Sequence, residues 1–136
     1  MTEPTVRPPH ILVVDDDLAT RSLTLAILSR TTNQRISSAV LRSADSLGAA
    51  RAVLAGEPID VVLLDVHLPD GIGLDLATEL RSRSSTAAIV ALTASVLPVD
   101  QQAALDAGCD AFLAKPYAAA ELLEIVDRFI ARRPAG

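Results

Sequence analysis

Four short stretches carry the side chains most able to do chemistry: VVDDD at 13–17, LLDVHLP at 63–69, ALTAS at 91–95 and FLAKPY at 112–117. Each places polar residues directly behind an apolar run, which singles out Asp15, Asp16, Asp65, Thr93 and Lys115. Carboxylates can serve as metal ligands or nucleophiles, a lysine neutralises negative charge, and a hydroxyl donates a hydrogen bond. Clustered carboxylates also repel. Two unit charges ~4 Å apart cost roughly 4 kcal/mol at an effective dielectric of about 20, so DDD behind a buried strand demands a counter-charge.

The elements that must position these residues follow from an alternation of short apolar runs with helical patterns. HILVVD, DVVLLDV and AAIVALTAS are near-continuous apolar runs, as expected for strands buried on both faces; SSAVLRS and DAFLAKPY are shorter strand candidates. Helices are expected over LATRSLTLAILSR, with Leu23, Ala26, Ile27 and Arg30 on one face, and around Leu47, Ala50 and Leu54, closing at Gly56-Glu57-Pro58. Further helices are expected over LDLATELRSR, VDQQAALDAG and AAAELLEIVDRFIARR, the last with Leu122, Ile125, Val126 and Phe129 aligned. The connector RTTNQRI is loosely specified, and HLPDGIG reads as loop.

Five β-α units imply an α/β fold: a five-stranded parallel sheet with helices on both faces, because parallel neighbours need right-handed crossovers. Ligands of such sheets bind outside the carboxyl ends of the strands. Asp15 and Asp16 then follow the first strand, Asp65 the third, Thr93 the fourth and Lys115 the fifth, all on one edge. Other polar residues have simpler roles. Asp17 is a helix N-cap, Asp60 and Asp70 are turn residues, and Cys109 is a small hydrophobe.

The chain has 136 residues, 50% of them hydrophobic, which suits one domain with a real core. The expected organisation is a tail or linker over 1–9, a domain over 10–132 and a short tail over 133–136. A net charge of -5 argues against direct nucleic-acid binding. A single cysteine, no signal-peptide pattern and no long apolar run lead to the expectation of a cytoplasmic protein with no membrane insertion.

VVDDD, LLDVHLP, ALTAS and FLAKPY, in this order and each at a strand end, resemble the response-regulator receiver domain of two-component and phosphorelay signalling. The likeness runs from about His10 to Arg132. It implies a flavodoxin-like (βα)5 sandwich with strand order 2-1-3-4-5. It also implies that Asp65 accepts a phosphoryl group from a phosphohistidine on a histidine kinase or histidine phosphotransfer protein. Mg2+, or Mn2+ in its place, would be held by Asp16, Asp65 and the backbone carbonyl of His67, with Asp15 holding a metal-bound water. Lys115 would pair with Asp65 at rest and with a phosphoryl oxygen afterwards. Thr93 and Phe112 would form the conformational switch, the bond before Pro116 would be cis, and His67 and Ser95 would tune phosphate lifetime. The domain is expected to signal rather than to act as an enzyme on small molecules.

The resemblance leaves three kinds of protein open: a single-domain regulator, a shuttle within a phosphorelay, or a receiver excised from a hybrid kinase. Ala120 stands where receivers that dimerise through their last helices carry a basic residue, which argues against that dimer mode. Two other functions compete. A haloacid-dehalogenase-like phosphatase would need an aspartate where His67 stands, and a pseudo-receiver signalling without phosphate would not need the intact set of Asp15, Asp16, Asp65, Thr93 and Lys115.

Overall fold

Residues 7–132 are described in a computed structural model of the chain. Most of the two expected tails lies outside that range, but residues 7–9 are tied to the domain. Arg7 Nη2 lies 2.6 Å from Asp60 Oδ1, and Pro9 O accepts from Val40 N at 2.8 Å.

The chain runs β1 (His10–Val14), α1 (Leu18–Arg30), α2 (Gln34–Ser37), β2 (Val40–Ala44), α3 (Leu47–Gly56) and β3 (Val61–Asp65). It continues through β4 (His67–Leu68), β5 (Gly71–Ile72), α4 (Gly73–Ser82), β6 (Ala88–Thr93), α5 (Pro98–Asp106), β7 (Ala111–Ala114) and α6 (Ala119–Arg132). One parallel sheet has the order β2-β1-β3-β6-β7. Counting only its own strands, this is the expected 2-1-3-4-5 arrangement. β3 is central, so every residue from Val61 to Asp65 is buried.

Alternation along the strands divides the core into two layers, as the two-residue period of a strand requires. Ile11, Val13, Val61, Leu63, Val90 and Leu92 face α1, α2 and α6, meeting Leu28, Ile36, Leu122 and Val126. Leu12, Val14, Val62, Leu64, Ile89 and Ala91 face α3, α4 and α5, meeting Leu47, Ala50, Leu76 and Ala104. Leu122, Ile125 and Val126 of α6 are buried and Phe129 packs partly buried beside them, as the sequence pattern indicates.

Three expectations change. The buried face of α1 is Thr24 and Leu28, while Leu23 is 62% exposed. Apolar residues surround this helix, so its pattern singles out no face. The connector RTTNQRI contains a one-turn helix: Asn33 caps it by accepting from Arg35 N at 3.0 Å, and Ile36 fills the core beneath it. HLPDGIG forms an antiparallel ribbon, pairing His67 with Ile72 and Leu68 with Gly71.

Asp60 and Asp70 do more than sit in turns. Asp60 Oδ2 accepts from His10 N at 2.7 Å, tying the entries of β1 and β3 together. Asp70 accepts from Leu47 N at 2.8 Å and Gly48 N at 3.0 Å, so the ribbon caps the N-terminus of α3. These amide donors, Gly48 first, hold its carboxyl below the ordinary value. Asp17 caps α1 as expected, accepting from Thr20 N at 3.1 Å. Cys109 is buried, and burial pushes its thiol up to about 11.

Candidate functional site

The carboxyl ends of β1, β3, β6 and β7 converge on one edge of the sheet, bringing together Asp15, Asp16, Asp65, Thr93 and Lys115. Asp15 is fully buried and Asp65 is 8% exposed, whereas Asp16 faces solvent. One carboxylate oxygen from each of the three lies within 4.8 Å of the others. The counter-charge demanded by DDD is partly supplied by Lys115, whose Nζ donates to Asp15 Oδ2 at 2.9 Å and Asp65 Oδ2 at 3.1 Å. Pairing with Asp65 was expected from the resemblance. The shorter bond to Asp15 was not.

Backbone contacts fix each group. Asp15 N donates to Ala44 O at 3.0 Å, Arg21 Nη1 to Asp15 O at 2.7 Å, and Asp17 N to Asp15 Oδ1 at 2.9 Å. His67 N donates to Asp65 Oδ1 at 3.2 Å. Lys115 N donates to Thr93 O at 2.7 Å, which joins the ends of β6 and β7. The Lys115-Pro116 bond is cis, as the resemblance implies.

Burial pushes the Asp65 carboxyl above its ordinary value; the Lys115 ammonium and the His67 amide oppose this, and the Asp15 charge adds to it. For Lys115, burial alone would disfavour the charged form. Its hydrogen bonds to Asp15 and Asp65, with their charges, outweigh that and raise its value overall.

Gly73 explains the tight turn beneath Asp65. Its amide donates to Val66 O at 2.7 Å, and a β-carbon there would overlap Asp65 O. Only glycine allows α4 to start against the backbone that carries the carboxylate.

The remaining expected residues sit at the rim. Thr93 Oγ1 accepts from Ser95 N at 3.0 Å, and the Ser95 hydroxyl donates to Asp100 Oδ2 at 2.5 Å in the first turn of α5. Phe112 is partly buried in β7, in register with Ala91 and packed against the α3-α4-α5 layer. His67 is exposed in the ribbon. Two further contacts near the site had no local sequence signal: Arg21 on the Asp15 carbonyl, and Tyr117 Oη sharing a 2.6 Å hydrogen bond with Thr24 Oγ1.

The carboxylate-only donor set fits a hard divalent cation that prefers oxygen ligands. Three carboxylates face one ammonium, so such a cation would complete the neutralisation.

A family model described as response regulator receiver domain matches residues 11–127. The chain belongs to this family. It is 33% identical over 127 residues to Protein PetR of Rhodobacter capsulatus, covering 93% of this chain and 51% of PetR. It is 34% identical over 127 residues to hybrid signal transduction histidine kinase L of Dictyostelium discoideum, covering 88% of this chain and 7% of that protein. The chain thus spans about half of one relative and a small part of the other. A solved CheY-like response regulator receiver domain protein from Methanospirillum hungatei superposes with TM-score 0.81 at 26% identity, covering 92% of this chain and 95% of that one. The receiver is therefore a two-component signalling domain with the CheY-like, flavodoxin-like fold. No helix among its described residues is long and apolar enough to cross a membrane.

Proposed function

We propose that residues 10–132 form the receiver unit, and that within it Asp65 accepts a phosphoryl group from a phosphohistidine on a histidine kinase or histidine phosphotransfer protein. The observation that carries this reading is the Lys115 ammonium, bonded to both buried carboxylates at 2.9 and 3.1 Å where the central strands end. An Asp65 carboxylate oxygen attacks phosphorus; the new O–P bond forms as the P–N bond breaks, and the imidazole leaves neutral with the proton on its other nitrogen. The protein contributes mainly position and charge neutralisation. Lys115 exchanges its Asp65 contact for a phosphoryl oxygen, and Thr93 turns its hydroxyl to donate to another.

Mg2+, or Mn2+, fits beside Asp15, Asp16 and Asp65, with the His67 carbonyl as a further oxygen. When bound, it neutralises phosphoryl oxygens that the carboxylates would otherwise repel. Loss of the Ser95 contact frees Thr93, so Thr93 and Phe112 shift the population between two arrangements of the β6–α5 loop. His67 and Ser95 flank the acceptor and set phosphate lifetime. A protein partner reads the α5-β7-α6 face, with no direct nucleic-acid contact. The domain acts as a signalling phosphoacceptor that assists its own phosphorylation and dephosphorylation, not as an enzyme on small substrates. We place it in the cytoplasm, where kinases draw on ATP.

Intact mass after incubation with Mg2+ and acetyl phosphate tests the reading. The wild type gains one phosphoryl group, whereas Asp65→Asn and chelated samples do not. Equal uptake by Asp65→Asn would overturn the assignment.

A further inference from the structure

Lys115 follows β7, an edge strand of the sheet, which among the described residues pairs with β6 alone. Its amide is anchored to Thr93 O at 2.7 Å, but the next residue, Pro116, has no N–H to donate. The next fixed point is a side chain. Tyr117 packs its ring against the α1-α6 core layer and shares its 2.6 Å hydrogen bond with Thr24, a residue 1% exposed on α1.

The other end of this link also reaches the site. α1 follows directly on Asp15-Asp16-Asp17, and its Arg21 holds the Asp15 carbonyl at 2.7 Å. The contacts therefore close a ring: Asp15 to α1, Thr24 to Tyr117, back through cis Pro116 to Lys115, and from Lys115 Nζ to Asp15 at 2.9 Å. Breaking this hydroxyl pair removes a hydrogen bond and leaves the buried Thr24 hydroxyl without that partner. Tyr117 is the chain's single tyrosine, and a phenylalanine would fill the same space without the bond.

We infer that the Thr24–Tyr117 hydroxyl pair is a latch that positions Lys115 between Asp15 and Asp65, so that both hydroxyls are positioning residues for phosphoryl acceptance. The inference rests on the reading of Asp65 as acceptor only for its effect on rate; the placing of Lys115 exists in the resting protein.

Lys115 is the chain's single lysine, so protein labelled with nitrogen-15 lysine gives one side-chain ammonium resonance. In the wild type, two hydrogen bonds slow its proton exchange and make it observable. Tyr117→Phe and Thr24→Val are expected to broaden it beyond detection, while Thr24→Ser, which keeps a hydroxyl, preserves it. Uptake of phosphoryl from acetyl phosphate at saturating Mg2+ is expected to fall about tenfold in each of the two disruptive variants, the scale of one lost hydrogen bond. The double variant should be no slower than either single variant. In a Lys115→Ala background, Tyr117→Phe should change the rate no further, whereas a general loss of stability would act in both backgrounds. A resonance unchanged in folded Tyr117→Phe and Thr24→Val overturns the latch. If the wild type takes up no phosphoryl group, the acceptor reading fails while the resonance still decides the latch.

Discussion

Substituting Gly73 by alanine tests the close approach beneath Asp65. The added methyl would overlap the Asp65 carbonyl oxygen, 3.0 Å from its carbonyl carbon and 3.3 Å from Leu64 Cγ. Two of these neighbours are backbone of the central strand, and the third is a fully buried leucine, so none can swing aside. Overpacking a dense core costs about 1–3 kcal/mol, and a backbone clash lies at the upper end, about 3 kcal/mol. In a domain whose total stability is about 5–15 kcal/mol, that is a large fraction. At roughly 3–4 °C per kcal/mol for this size, the melting midpoint should fall by about 10 °C. Thermal unfolding followed by circular dichroism reads the shift, and acetyl phosphate uptake should fall as Asp65 is displaced. Gly56→Ala is the control: it ends α3, and among the described residues nothing lies within 4 Å of a β-carbon there. Alanine there should leave the midpoint unchanged or raise it by the helix-propensity gain of up to about 1 kcal/mol. A Gly73→Ala midpoint within about 2 °C of wild type would refute the close-approach reasoning, since even the low end of the overpacking cost exceeds it.

Lys115→Ala leaves Asp15 and Asp65 buried without their ammonium, at a cost of about 3–5 kcal/mol in thermal unfolding. Added Mg2+ should restore more stability to this variant than to the wild type, and equal restoration would contradict charge neutralisation as the metal's role. Because the Asp70 carboxyl is held below its ordinary value, its capping stabilisation is complete above about pH 4 and is lost as pH falls through the lowered value. Asp70→Ala should therefore melt below wild type at neutral pH, with the difference narrowing in acid; a constant difference would show that the charge is irrelevant. Cys109, buried and with its thiol pushed up to about 11, should resist thiol reagents at neutral pH until the protein unfolds. Rapid labelling of the native protein would contradict that.

The features legible in the sequence are those with strong local signals. HILVV, VVLLD and AIVALT are continuous apolar strands because both faces of the sheet are covered, and the β-α alternation leads to the parallel order. Strand order in turn brings Asp15, Asp65, Thr93 and Lys115 to one edge without any knowledge of side-chain contacts. Features fixed by tertiary partners were not legible. The buried face of α1 is set by tertiary contacts, among them Tyr117, far away in sequence, which meets Thr24 rather than an apolar residue. Asp70 looks like a turn residue because its partners, Leu47 N and Gly48 N, belong to another element. The α2 turn and the β4–β5 ribbon are too short to show a period, and the ribbon is set by Gly73 passing against Asp65.

The most direct test of the central claim is to locate the acyl phosphate. Borohydride reduces an aspartyl phosphate to homoserine, so peptide mass spectrometry of phosphorylated and reduced protein marks the acceptor by residue. Homoserine at position 65 alone, absent when Mg2+ is chelated, is the expected result. Homoserine at Asp15 or Asp16 in protein that has taken up phosphate would contradict it.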